Sequence, residues 1–219
     1  MTRMVVQHEA PVTITGQGIA LDGILARPDH ARGIVLFAHG SGSGRFSPRN
    51  QFVAHQLQAG AFATLLLDLL QPNEADDRRY VFDIDLLADR LLLAGAWVSR
   101  HPRTAALPVG YFGASTGAGA ALQAAAREPD AVGAIVSRGG RPDLAGPYLD
   151  KVSAPTLLLV GGDDEPVITM NEQALTQLRC QKSLVVIPGA SHLFEEPGTL
   201  EQVADHARRW FDRYLARAQ

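Results

Sequence analysis

The chain has 219 residues, 46% of them hydrophobic and 20% charged, a formal net charge of −3 at pH 7 and one cysteine, Cys180. That length suffices for one sizeable α/β domain and is short for two, and the charge balance gives no reason to expect nucleic acid or an anionic membrane as partner. A lone cysteine excludes an internal disulfide and suits a reducing compartment, while no apolar stretch approaches the length of a membrane span.

The opening MTRMVVQHEAPV lacks the apolar core and small-residue cleavage site of a signal peptide, so the expectation is a cytoplasmic protein. No repeat, low-complexity tract or linker-like shift interrupts the chain, so residues 1–219 are expected to form a single domain. Residues 11–27 predict a β-hairpin around Gly16-Gln17-Gly18, stopped by Pro28. Residues 33–38 (GIVLFA) have the length of a buried strand and run into the glycine-rich loop His39-Gly40-Ser41-Gly42-Ser43-Gly44. A helix over 48–60 follows, with Phe52, Val53, Gln56 and Leu57 toward one face and Gly60 as its stop.

Residues 61–68 (AFATLLLD) predict the next buried strand, and the mixed acidic and basic loop QPNEADDRR reads most simply as solvated. A long helix is expected from about Val81 to Arg100, with Leu86, Leu87, Leu91, Ala94, Trp97 and Val98 at helical spacing and Pro102 beyond it. An apolar strand with Val109, Tyr111 and Phe112 leads into an alanine-rich helix to Arg127. Then come a strand at Ala131–Ser137, the loop SRGGRPD, a short helix near Leu144–Leu149 and a strand at 155–161. A helix at 168–179, a strand at 183–187 and a last helix at 198–216 complete the series. Buried strands alternating with helices predict a three-layer αβα sandwich around a mostly parallel sheet, with an antiparallel hairpin at its N-terminal side.

In such sheets reactive groups gather at the carboxyl ends of the strands. Gly113-Ala114-Ser115-Thr116-Gly117 lies between a strand and a helix, in the G-x-S-x-G pattern of a nucleophile elbow. A serine on so sharp a corner needs strained dihedrals and neighbours without bulk. The alternative is a plain glycine-rich turn with Ser115 as a helix cap.

A serine hydroxyl needs a base, commonly a histidine oriented by a carboxylate. Of the seven histidines, His192 is the one just past the final strand, after Pro188-Gly189-Ala190-Ser191. Gly161-Gly162-Asp163-Asp164-Glu165 directly follows another strand, so one of three adjacent acids stands where the third partner belongs, with Asp164 preferred. The order Ser115, Asp164, His192 is the one expected of an elbow serine. An oxyanion requires two backbone donors, for which the amides of Thr116 and Ser41 are candidates. His39 and Gly40 open the loop beside them and are candidate substrate contacts. A phosphate or dinucleotide cradle, with Asp68 on a ribose, is the rival reading of the glycine loop, but the spacing is not G-x-G-x-x-G and G-K-[ST] is absent. Arg138 and Arg141 follow a strand end and are candidates for a substrate carboxylate, or else surface partners of Asp143 or Asp150. Cys180 has no elbow around it. No cofactor and no metal are expected.

With these motifs in hand, the whole chain resembles the α/β-hydrolase superfamily, in its dienelactone-hydrolase-like branch. The resemblance rests on His39-Gly40 with its serine/glycine loop, Ser47-Pro48-Arg49-Asn50, the elbow pentapeptide, Gly161-x-x-Asp164-x-x-Val167, and Gly189-Ala190-Ser191-His192. The Gly-x-x-Asp-x-x-Val spacing of that family selects Asp164. Dienelactone hydrolase itself uses a cysteine nucleophile, whereas this elbow holds serine, so dienelactone as substrate does not follow. The lid many relatives carry after the strand at 131–137 is expected to be minimal or missing. The resemblance implies a serine hydrolase acting on a small-molecule ester, without metal or cofactor. An acyltransferase or thioesterase on the same triad, or a catalytically silent binding protein, remains open, as does the oligomeric state.

Overall fold

The computed structural model describes residues 9–16 and 18–215; Gln17 of the expected hairpin turn, His8 and the expected helical position 216 lie outside them. Eight strands form one sheet in the order β1-β2-β4-β3-β5-β6-β7-β8. β1 (Glu9–Gly16) and β2 (Ile19–Ala26) form the antiparallel hairpin, and β2 pairs antiparallel with β4 (Phe62–Leu67). β3 (Gly33–Ala38), β4, β5 (Val109–Ala114), β6 (Ala134–Arg138), β7 (Thr156–Gly161) and β8 (Lys182–Ile187) run parallel. Every residue of β3, β4, β6 and β7 is buried, as continuous apolar runs require when both faces are covered.

One face of the sheet carries α1 (Pro48–Ala59) and α6 (Thr199–Tyr214), which pack around Phe37, Phe62, Phe112 and Phe211. The other carries α3 (Ile84–Val98), α4 (Thr116–Arg127), a 3-10 helix at Pro142–Lys151 and α5 (Glu165–Gln177). The expected sandwich is therefore the observed one.

The long helix expected from about Val81 to Arg100 is α3, which starts three residues later and ends at Val98. A single turn, α2 (Arg78–Val81), stops at Phe82, and Asp83 then caps α3 by accepting the Leu86 N–H at 3.0 Å. The face assigned to α1 also needs correction: Gln56 is exposed, and the buried stripe is Asn50, Val53, Ala54, Leu57 and Gln58. Gln58 goes inward because its amide donates to Thr64 Oγ1 at 2.7 Å. α5 starts three residues earlier than expected, with Asp164 preceding it and Pro166 in its first turn, where a missing N–H costs nothing. The loop QPNEADDRR is not simply solvated: Glu74 pairs with Arg90 of α3, which is 3% exposed. No described helix is long and apolar enough to cross a membrane.

Candidate active site

Ser115 occupies the corner between β5 and α4 with φ 50° and ψ −122°, a conformation an L-residue adopts only when its surroundings impose it. The packing explains the small neighbours. A side chain at Gly113 would run into the Ala118 backbone, and one at Gly117 into the carbonyls of Ala38 and His39. Three backbone bonds hold the corner: Ser115 N–H to Arg138 O at 3.4 Å, Ala118 N–H to Ser115 O at 3.1 Å and Arg141 N–H to Ser115 O at 3.0 Å.

The loops after β7 and β8 meet beside this edge of the sheet. His192 Nδ1 lies 2.6 Å from Asp164 Oδ2, while neither Asp163 nor Glu165 makes a hydrogen bond or ion pair with the ring. The Asp164 carboxylate is nearly enclosed and the imidazole is more than a third exposed, so the pair is anchored on one side and open on the other. Glu196 steadies the His192 loop by accepting the Ser191 N–H at 3.0 Å. The His192 ring lies over Gly139, just past β6 and one strand from Ser115. Ser115 Oγ makes no hydrogen bond to the ring here; such bonds commonly tighten only with substrate bound.

A Cβ built on Gly40 would stand 2.8 Å from the Ser115 Cβ, so the glycine loop passes directly over the nucleophile position. Among the described residues, neither the Ser41 nor the Thr116 N–H donates to a protein acceptor. Both amides are thus unspent, as the donors to a developing oxyanion must be.

His39 is not a free substrate contact. Its Nε2 accepts the Leu69 N–H at 2.9 Å, which leaves Nδ1–H to donate to Gly40 O at 2.9 Å. Burial holds its pKa below the ordinary histidine value. Both ring nitrogens are therefore spent on holding the loop. The same chain continues outward, since Arg90 Nη1 donates to Leu69 O at 2.6 Å. Asp68, the residue a ribose would need, is ion-paired with Arg45 and accepts the Arg45 N–H at 2.6 Å, which closes the glycine loop on itself.

Arg141 turns outward to Asp143 at 2.7 Å, so only its backbone serves the elbow. Arg138 is not in a loop but is the last residue of β6, buried and, among the described residues, without a carboxylate partner. Arg49 in the first turn of α1 stands near enough for its charge to act on Arg138. Sequence spacing gave no sign of that pairing. A cleft of about 440 Å³, lined by His39, Gly42, Ser43, Arg49, Asp68 and Leu70, lies on the glycine-loop side of the serine. Asn171 of α5 ties down the loop after β6 by donating to Gly140 O at 3.0 Å. Cys180 lies at the far end of β7, 3.7 Å from Thr156 Oγ1, with its thiol pushed up by burial. No cluster of potential metal ligands occurs among the described residues.

Residues 21–216 match the sequence model of the Dienelactone hydrolase family. A solved dienelactone hydrolase from Anabaena variabilis is 57% identical, with a TM-score of 0.93 over 95% of this chain and 98% of that one. Est1E from Butyrivibrio proteoclasticus, solved with ferulic acid bound, shares the fold at 18% identity, with a TM-score of 0.79 over 92% of this chain and 98% of its own. A Mycobacterium tuberculosis protein with the name "Putative phosphoribosyl transferase" is 56% identical over 208 residues, which is 95% of this chain and 47% of that protein. The chain thus spans about half the length of the curated relatives it matches.

Proposed function

The chain belongs to the dienelactone hydrolase family, and from that premise we propose that it is a serine hydrolase cleaving a small-molecule ester through an acyl-enzyme on Ser115. The 2.6 Å contact between Asp164 and His192 beside the elbow serine is the observation that carries this reading. His192 Nε2 takes the Ser115 proton as Oγ attacks the ester carbonyl, while Asp164 holds the Nδ1–H and steadies the imidazolium. The Ser41 and Thr116 amides receive the oxyanion. The imidazolium then protonates the departing alcohol, and water, activated by the same ring, releases the acid and restores the hydroxyl.

The transferase name of the longer relatives describes proteins of which this chain corresponds to under half. The Arg45–Asp68 closure of the glycine loop argues against a pyrophosphate cradle in this part.

Hydrolysis of p-nitrophenyl butyrate tests the proposal. Ser115→Ala and His192→Ala should each lower kcat by about a thousandfold or more, and a fluorophosphonate probe should label the wild type but not Ser115→Ala. An undiminished rate in Ser115→Ala overturns it.

A further inference from the structure

Strand β6 ends on a cation that no described residue neutralises. Arg138 is 7% exposed, its Nη1 is buried without a partner, and no carboxylate meets it among the described residues. Withdrawing a guanidinium from water costs several kcal/mol unless an anion or a full set of acceptors compensates, so a buried arginine is ordinarily paired.

Side-chain alternation along β6 fixes where it points. Ile135 packs in the core on the α4 side, and a side chain at Gly140 would meet both Ser137 Oγ and Ala118. Ala134, Val136 and Arg138 therefore face the other way, toward α1 and α6. On that face α1 carries a second cation, Arg49. Burial, and then the charge of Arg49, push the Arg138 guanidinium down to about 10. Arg49 has a buried, unpartnered Nε of its own, and its one carboxylate is the exposed Glu195, 3.1 Å away and three residues past His192. The first turn of α1 holds no acid, so the positive end of the helix dipole adds to the same field. Backbone register puts all this next to the nucleophile: Arg138 pairs with Ala114, and its carbonyl accepts the Ser115 N–H.

We propose that Arg138 and Arg49 form an anion subsite beside Ser115 that holds a phosphate group carried by the ester substrate. The proposal rests on the serine-hydrolase reading above. A planar carboxylate engages one guanidinium fork, whereas a tetrahedral phosphate dianion offers oxygens to two forks arriving from different elements. Arg49 also lines the cleft of about 440 Å³ on the glycine-loop side, which has room for a small phosphorylated molecule. Bound there, the phosphate would anchor the substrate while its ester carbonyl lies at the serine.

Three p-nitrophenyl esters of similar length test this: the butyrate, the hemisuccinate and the 3-phosphonopropionate, whose phosphonate stands in for phosphate. The phosphonate ester should exceed the butyrate in kcat/KM by about tenfold or more. Arg138→Gln should abolish that preference through KM, Arg138→Lys should restore part of it, and Arg49→Gln, in a half-exposed position, should reduce it without risk to the core. Retention of the preference in Arg138→Gln overturns the subsite, and a preference for the hemisuccinate overturns the phosphate assignment. A readout without turnover separates this from the parent reading. Inorganic phosphate should raise the Tm of Ser115→Ala protein and not that of Ser115→Ala/Arg138→Gln. If no ester is hydrolysed, the serine-hydrolase reading falls; if phosphate fails to shift the Tm, the subsite falls.

Discussion

His39 shows how completely one side chain can be spent on holding a loop. Both ring nitrogens are engaged, and burial keeps the imidazole from taking a second proton. In the unfolded chain the same ring protonates near its ordinary value of 6.5. Below that pH the unfolded state binds a proton that the folded state refuses, so stability falls as the solution is acidified and recovers toward neutrality. The pH dependence of Tm between neutrality and mild acid should therefore flatten in His39→Gln, by up to one proton's worth of slope. An unchanged slope would show that the ring is protonated in the fold. At this scale the sequence identified individual groups better than their partners. Asp163, Asp164 and Glu165 are indistinguishable by position after a strand; what separates them is that α5 begins at Glu165, leaving Asp164 on the last free residue beside His192. Arg138 and Arg49, 89 positions apart in sequence, come to one face of the sheet only because α1 packs on it beside α6.

Among the elements, the segment after β4 departs furthest from its sequence pattern. Its acids and arginines look like a solvated turn, yet Glu74 accepts both terminal nitrogens of Arg90 at 2.6 and 2.7 Å, and Arg90 also binds the Leu69 carbonyl. The Arg90 guanidinium holds the Glu74 carboxyl below its usual range. Helical periodicity placed Arg90 among the leucines of α3, but nothing local could say that its partner sits in a loop 16 positions earlier. Removing Arg90 leaves the Leu69 carbonyl without a donor and the Glu74 carboxylate with the Gln71 N–H alone. Arg90→Leu should lower the unfolding free energy by about 3 kcal/mol in urea titrations. Because Leu69 also donates to His39, the variant should lose ester turnover at temperatures where its far-UV dichroism is still native. The break between α2 and α3 has a simpler origin, since Asp83 supplies a cap that a purely hydrophobic pattern does not register.

At the level of the whole molecule, the alternation of buried strands and amphipathic helices was legible from the hydropathy pattern, because parallel strands covered on both faces must be uniformly apolar. Chain reach explains why the three candidate catalytic groups were findable: each directly follows a strand of a parallel sheet, and such strands all end on the same edge. The connection from β6 to β7 holds only the 3-10 helix at Pro142–Lys151, which packs against α4 and α5 instead of covering His192. With no inserted cap to displace, hydrolysis of p-nitrophenyl butyrate should begin without a lag. It should also show no jump in rate when detergent micelles form; such a jump would mean that a segment moves off the site.

The backbone at Ser115 carries one last consequence. A residue other than glycine forced into positive φ raises the energy of the folded state by about 1–3 kcal/mol. Heat tolerance and reactivity therefore pull in opposite directions at that corner. A search for hardier variants that scores survival alone would be drawn toward glycine at position 115, and would enrich the very molecules that had been disarmed.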